Sequence, residues 1–313
     1  MKVFYHNDND GKCSAAIVYN IESRNVDDVM DIRCIPIQYG DNFPHHTIHG
    51  HGAFKRIEAE TVYILDFSIE TDDMAKLLGI TENVIWIDHH KTAIEKYSDF
   101  AWRNRKEEWC NLEDIIGIRE VGISGCELTW RYFNFLDAGS SPIPEAVKLI
   151  GDRDIWAYKY GDRTRDFYYG LKGLDLNPAR VIWNDIFTKP GDFVNRGETI
   201  RHAFEEEAND IVRTNGFWVD DFHGYRCYAA NYFRGSEPFE AVEPDADVYL
   251  AFSYEGKNKC WTVSLYSTKP DIDVSEIAKQ YEWKGKRGGG HKGAAGFQCD
   301  YPPFLSLPGM LRS

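Results

Sequence analysis

The amino-acid sequence predicts an α/β protein in two parts, an N-terminal parallel-sheet domain and a smaller C-terminal α/β domain, on three observations. Short apolar runs alternate with helix-spaced segments through the first half, the pattern of a parallel sheet covered on both faces. Three of those runs end in His or Asp: Val3-Phe4-Tyr5 leads into His6, Tyr63-Ile64-Leu65 into Asp66, and Val84-Ile85-Trp86-Ile87 into Asp88-His89-His90. After residue 216 the texture changes to β-like runs rich in β-branched and aromatic residues, clearest over 260–266.

Taken in order, 2–5 is a short apolar strand. It is followed by the turn His6-Asn7-Asp8-Asn9-Asp10-Gly11 and by a helix over 13–23, with Ala16, Ile17, Tyr19, Asn20 and Ile21 at helical spacing. Further strands fall at 32–37, 61–65 and 83–87. A crossover helix over 71–78 carries Asp72 and Asp73 in its first turn, where carboxylates favour the amino end of a helix. Open parallel sheets bind ligands at the carboxyl ends of their strands, and all three acidic or histidine clusters sit there. Helices follow at 124–136 and 144–151, the second entered through Pro142 and Pro144 and running into Gly151-Asp152-Arg153-Asp154. A polar helix over 195–215 bridges the halves, which divides the chain into a domain over 1–190, a linker helix over 191–215 and a domain over 216–313. In the last part, β-like runs at 217–219, 226–230, 248–254 and 260–266 precede a helix over 274–281 and the glycine-rich stretch from Gly285 to Phe297.

Composition narrows the function. The chain is 43% hydrophobic and 27% charged, values of a globular protein. Its net charge of −14 argues against coating long duplex nucleic acid, where phosphate neutralisation dominates affinity. The charge is uneven: 256–313 holds nine Lys and Arg against five Asp and Glu, while the remainder holds 27 against 45. An acidic body with a basic end fits metal ligands in one part and anion capture in the other. No apolar run reaches membrane-span length, and Met1–His6 turns polar too soon for a secretory signal. Seven cysteines without a CxxC pair point to reduced thiols and a cytoplasmic protein, with neither disulfides nor a zinc knuckle.

His6, Asp8 and Asp10 alternate, and in extended backbone residues two apart point to one side. Their oxygen and nitrogen donors suit manganese, iron, zinc or magnesium; the competing reading is an Asx-rich turn that caps the next helix. A carboxylate such as Asp66 can bridge two divalent ions about 3.5–4 Å apart, the arrangement that activates water and stabilises both oxygens of a phosphoryl displacement. Asp152 or its neighbour Asp154 is the natural further ligand. In the second half, Gly288-Gly289-Gly290-His291 offers successive backbone N–H groups as an anion nest, with Arg287, His291 and Lys292 as charged donors, ahead of a small-residue helix over 293–296. The histidine-rich stretch from His45 to His51 reads as a solvated loop, and Trp102-Arg103-Asn104-Arg105-Lys106 with Trp109 as a surface insertion.

These motifs, His6-x-Asp8-x-Asp10-Gly11, Asp66, Asp88-His89-His90, Asp152 and the Gly-Gly-Gly-His291-x-x-Ala294-Ala295-Gly296-Phe297 loop, resemble in order and spacing those of the DHH phosphoesterase superfamily. The resemblance covers nearly the whole chain, including the C-terminal DHH-associated domain, and is nearest to the nanoRNase and RecJ-like branch, which removes nucleotides from short or single-stranded nucleic acids. It implies two Mn2+ ions, with Mg2+ or Co2+ as substitutes: His6, Asp8 and Asp66 on one, and Asp10, Asp66, His89 and Asp152 on the other. It further implies that His90 faces the substrate phosphate, that Asp88 orients the adjacent histidines, and that Arg287, Gly288, Gly289, Gly290 and His291 clamp the bound nucleotide.

One departure is that related sequences often have an arginine before the glycine loop, where this chain reads Ser264-Leu265-Tyr266-Ser267, with Lys269 the nearest replacement. The implied activity is a metal-dependent phosphodiesterase that hydrolyses short oligonucleotides to nucleoside 5′-monophosphates, with a cleft between the domains that selects for length. The implied partners are short single-stranded oligonucleotides or dinucleotides, without a membrane; a homodimer is compatible. Competing readings keep the site and change the substrate: 3′-phosphoadenosine 5′-phosphate, linearised or cyclic dinucleotides, or longer single strands. A nucleotide sensor without catalysis is a reading of another class, and the full ligand set argues against it. The glycine loop argues against a pyrophosphatase.

Overall fold

The computed structural model describes residues 1–24, 31–47, 60–103, 108–136, 141–232, 239 and 245–305. They form two compact units, Met1–Ile200 and Arg201–Ser313.

The first unit is built on four parallel strands, β1 (Lys2–His6), β2 (Arg33–Ile37), β3 (Val62–Leu65) and β4 (Val84–Ile87), in the order β2-β1-β3-β4. The central strands are buried on both faces, and their period-2 alternation sorts their side chains into two cores. Val3, Tyr5, Tyr63, Leu65, Ile85 and Ile87 join one core; Phe4, Val62, Ile64, Val84 and Trp86 join the other. Helix α1 (Asn9–Glu22) supplies Cys13, Ala16 and Ile17 to the first core, and α2 (Thr71–Ile80) supplies Met74, Leu77 and Leu78 to the second. The chain leaves β1 for β2 on one side and returns to β3 on the other. The crevice at the carboxyl ends of β1 and β3 is therefore the switch point where open α/β sheets bind ligands.

After β4 come α3 (Lys91–Lys96), a small antiparallel hairpin of β5 (Ala101–Arg103) and β6 (Trp109–Asn111), then α4 (Gly125–Leu136) and α5 (Glu145–Asp154). Helices α6 (Asp162–Leu171), α7 (Ile182–Thr188) and α8 (Pro190–Asn215) complete the series. Of these, α3, α6, α7 and the hairpin are not among the elements read from sequence. The backbones of α6 and α8 meet closely: a Cβ at Gly170 would lie 1.9 Å from the Phe193 carbonyl oxygen, and one at Gly197 would lie 1.6 Å from that of Asp166. Among the described residues, no helix is long and apolar enough to cross a membrane.

The second unit holds a six-stranded sheet of β7 (Gly216–Phe222), β8 (Tyr225–Asn231), β9 (Val248–Glu255), β10 (Cys260–Tyr266), β13 (Gly289–Gly290) and β14 (Ala294–Cys299). Its order is β13-β14-β10-β9-β8-β7. All pairs are antiparallel except β8 with β9. Helix α9 (Val274–Ala278) and the two-residue strands β11 (Glu282–Trp283) and β12 (Lys286–Arg287) lie between β10 and β13. Ile277 and Ala278 of α9 pack with Val263, Leu265 and Phe297, and the Tyr281 ring stacks on Phe297 with centroids 3.9 Å apart.

Candidate metal centre

Asp8 is placed for both roles that the sequence left open. It is the N-cap of α1, where its Oδ1 accepts the Gly11 N–H at 2.9 Å, and its Oδ2 lies 2.7 Å from His6 Nδ1. Gly11 is obligatory because a Cβ there would meet the His6 carbonyl oxygen at 2.1 Å. Asp10, in the first turn of the helix and buried, accepts N–H bonds from Gly125 at 2.6 Å and Cys126 at 3.0 Å, so the amino end of α4 is locked onto it.

Asp66 follows β3 directly. Its backbone adopts φ 52°, a left-handed conformation uncommon for a non-glycine residue. It is 1% exposed, and neither carboxylate oxygen has a well-formed hydrogen bond. His89 Nε2 lies 3.1 Å from Oδ1 and His6 Nδ1 3.8 Å from Oδ2. Leaving a buried carboxylate without partners costs several kcal/mol unless a cation satisfies it (about 3–5 for an ion pair broken by loss of one member). His89 Nε2 also lies 3.4 Å from Asp154 Oδ2. Three groups of potential ligand atoms result, each within 4.8 Å: His6, Asp8 and Asp66; Asp10, His89 and Asp154; and Asp66, His89 and His90. Together these groups could hold metal ions, with Asp66 common to two of them.

Electrostatics agree with a cation site. Burial and the neighbouring Asp10 charge push the Asp66 carboxyl well above the usual range, and the same two causes raise Asp154. His6 moves the other way in charge: burial disfavours the imidazolium, but the nearby Asp66 and Asp8 carboxylates outweigh it and push the ring up to about 10. All three shifts favour added positive charge in the cluster, the charge that a bound dication would supply.

Asp88, fully buried, is the orienting group. Its Oδ1 accepts His90 Nδ1 at 2.7 Å and the His89 N–H at 2.8 Å, and its Oδ2 accepts the Ser68 hydroxyl. Burial opposes ionisation, but the bonds from His90, Ser68 and the His89 N–H hold the carboxyl below its ordinary value. An ionised carboxylate only accepts, so His90 carries its proton on Nδ1.

Asp152, expected as a ligand, is outside the cluster, and Asp154 stands in it. The reason is that α5 does not end at Gly151 but continues to Asp154. Residues two apart on a helix face away from each other, so only one of the pair can meet His89. Asp152 is turned inward instead, where it accepts the Lys159 N–H at 2.8 Å, the Tyr160 N–H at 3.3 Å and the Thr164 hydroxyl at 2.5 Å. Two contributors escaped sequence reading. A Cβ at Gly125 would sit 2.7 Å from Asp66 Cβ and 3.0 Å from Asp10 Oδ2, so only glycine lets α4 approach the cluster. The Tyr39 ring stands edge-on to both His6 and His90, at 5.4 Å and 5.7 Å.

His and Asp residues at the ends of β1, β3, β4 and α5, with Asp154 in place of Asp152, therefore close on one centre at the switch point of the sheet. This is the convergence that the resemblance to the DHH phosphoesterase superfamily implies for His6, Asp8, Asp66 and His89. No protein-family model matches the chain. It is 26% identical over 310 residues to an uncharacterised protein of Acanthamoeba polyphaga mimivirus, a match covering 94% of this chain and 66%, just under two thirds, of that one. Among solved structures, it is similar to the DHH domain of a member of a ribosomal-protein family (TM-score 0.49, 13% identity, 94% and 81% of the two chains). Others are RecJ of Thermus thermophilus in complex with Mn2+ (0.48, 14%, 95% and 49%) and a pGpG-specific phosphodiesterase of Vibrio cholerae (0.47, 11%, 95% and 92%).

In the second unit the glycine stretch differs from expectation. Residues 294–299 form strand β14, not a small-residue helix, because Ala295 and Gly296 pair with β10 and β13. The Gly288 N–H is bound to the Tyr281 carbonyl at 2.9 Å and the His291 N–H to that of Ala294 at 2.7 Å, so the stretch is a tight hairpin and not an open nest. Glycine is required at 288 and 290, where a Cβ would meet the Ala278 carbonyl oxygen at 2.3 Å and Ala295 Cα at 2.5 Å. Arg287, His291 and Lys292 remain exposed. Lys269 is paired with Asp247 at 2.7 Å, which commits the expected replacement cation elsewhere. His45 binds Asp73 at 3.0 Å, and Arg103 lies over the Trp109 ring; 48–51 and 104–106 lie outside the described residues.

Proposed function

We propose that this chain is a metal-dependent phosphodiesterase that hydrolyses short oligonucleotides to nucleoside 5′-monophosphates. The observation that carries the proposal is Asp66, a buried carboxylate without hydrogen-bond partners, in strained backbone, shared by two sets of His and Asp donors. His6, Asp8 and Asp66 would hold one Mn2+ ion, and Asp10, Asp66, His89 and Asp154 the other. Such a pair lowers the pKa of water and neutralises charge on the phosphoryl oxygens. The chain's own groups do the positioning. Asp88 anchors His90 through Nδ1, and a cationic His90 would then donate from Nε2 to the substrate phosphate. The α4 amino end holds Asp10, and Gly125 lets that helix sit against Asp66. Arg287 and His291 are the candidates for gripping a second phosphate or base. Hydrolysis adds water across the P–O3′ bond, with a 5′-phosphate on one product and a 3′-hydroxyl on the other.

The test is a Mn2+-dependent time course on 5′-labelled RNA of two, five and twenty-four nucleotides, with Asp66→Asn as control. Rapid monophosphate release from the shortest RNA, absent in the variant, is the expected result. Equal degradation of the longest strand would make the enzyme a RecJ-like exonuclease instead. No release from any RNA would overturn the proposal and turn attention to 3′-phosphoadenosine 5′-phosphate, then to sensing without catalysis.

A further inference from the structure

Beside the acidic cluster, the first unit has a pocket of about 330 Å3 that the metal centre does not account for. Its lining includes Asp8, Asp10 and Asp154 together with Arg153, Trp156 and Tyr168. The Arg153 guanidinium lies 4.4 Å over the Trp156 ring, 4.9 Å over Tyr168 and 5.3 Å over Tyr158, and also donates to the Tyr158 hydroxyl. It therefore fixes three aromatic rings around one cation.

Trp156 is not core material. It is 45% exposed and its backbone is left-handed, with φ 55°; Tyr158 is left-handed too, with φ 47°. Two bulky residues in that region persist only where the surroundings over-determine them. Asp152 does so here: its carbonyl accepts the Ala157 N–H at 3.0 Å and its carboxylate the Lys159 N–H. The buried acid that is absent from the cluster thus shapes the turn that displays Trp156 next to Asp154.

The pocket's volume is near the lower end of the range for small-molecule sites, roughly 300–1,000 Å3, and suits one nucleoside-sized group. A second pocket of about 480 Å3 shares Asn9, Tyr168 and Leu171 with it and adds Lys12 and Lys172. Aromatic rings followed by cations match a ligand that is planar and anionic by turns, which favours a nucleotide over an apolar peptide.

We infer that the Arg153–Trp156–Tyr168 pocket is a stacking subsite for the nucleobase flanking the scissile phosphate, with Lys12 and Lys172 meeting the next phosphate. The identity of the occupant rests on the phosphodiesterase reading. Base stacking on Trp156 contributes to binding, so its removal raises KM, and a second aromatic ring at 156 restores it.

The experiment measures Mn2+-dependent KM for an adenylate dinucleotide and for its abasic analogues, using wild type, Trp156→Ala and Trp156→Tyr. Wild type should favour the base-bearing substrate by about 10-fold. In Trp156→Ala that preference should collapse toward one, and Trp156→Tyr should recover most of it. An unchanged preference in Trp156→Ala would overturn the subsite while leaving the phosphodiesterase reading intact. If wild type cleaves no dinucleotide, that reading fails separately, and calorimetric titration with adenosine 5′-monophosphate and Mn2+ decides the subsite. Affinity weakened about 10-fold in Trp156→Ala would uphold the subsite; equal affinities, or no binding by wild type, would overturn it.

Discussion

Replacing Asp152 and Asp154 separately by alanine should move two measurable quantities in opposite ways. Asp152 is 4% exposed and accepts two backbone N–H groups and the Thr164 hydroxyl, bonds that tie the end of α5 to the turn before α6. Hydrogen bonds to a charged group contribute about 1.5–3 kcal/mol each, and their loss leaves donors unpaired, so Asp152→Ala should cost about 2–4 kcal/mol. For a unit of this size that is a fall in Tm of roughly 5–15 °C. Asp154 instead stands among like charges, and burial with Asp10 already pushes its carboxyl upward. Its removal relieves repulsion, so the metal-free Asp154→Ala protein should melt no lower than wild type. Metal reverses the order. An ion at 100 times its Kd stabilises by about 2.7 kcal/mol, whereas a 100-fold weaker site at the same concentration leaves about 0.4 kcal/mol. Differential scanning calorimetry with and without MnCl2 should therefore show the Mn2+ shift kept in Asp152→Ala and nearly lost in Asp154→Ala. The reverse pattern would refute the ligand assignment and return the metal to Asp152.

Gly125→Ala should displace Asp66 and Asp10, costing about 1–3 kcal/mol by overpacking and at least roughly 10-fold in kcat, read by thermal melts and steady-state rates. His6 in the metal-free protein is pushed up to about 10 from an ordinary 6.5, so its contribution is complete below 6.5 and lost as pH rises through about 10. Asp66 and Asp154, raised above 3.8, act in the same direction. The Tm of metal-free protein should thus fall between pH 6.5 and 10, and saturating Mn2+ should flatten the slope; a Tm rising over that window would contradict the electrostatics. His291→Ala should mainly raise KM for a dinucleotide, and an equal loss in kcat would place His291 in the chemistry instead.

Much of this protein is written locally. Apolar runs of three or four residues, each stopped by His or Asp, mark β1, β3 and β4 together with their carboxyl ends, because both signals depend only on neighbours in the chain. His6, Asp8, Asp10, Asp66 and Asp88-His89-His90 are found the same way. What sequence could not decide depends on where a helix stops and what crosses it. Whether 152 or 154 meets His89 turned on three more residues of α5, and boundaries of that kind are set by tertiary contacts such as the Thr164 hydroxyl from α6. The need for glycine at 125 arises only when α4 is laid against β3. The small residues of 293–296 have no periodicity of their own, so pairing with β10 and β13 made them strand. Trp156 looks like any aromatic residue until a left-handed turn, held by a buried acid, sets it beside the metal centre. Sequence specified the donors; tertiary packing chose which of them converge, because convergence is a property of distances between segments and not of the segments themselves.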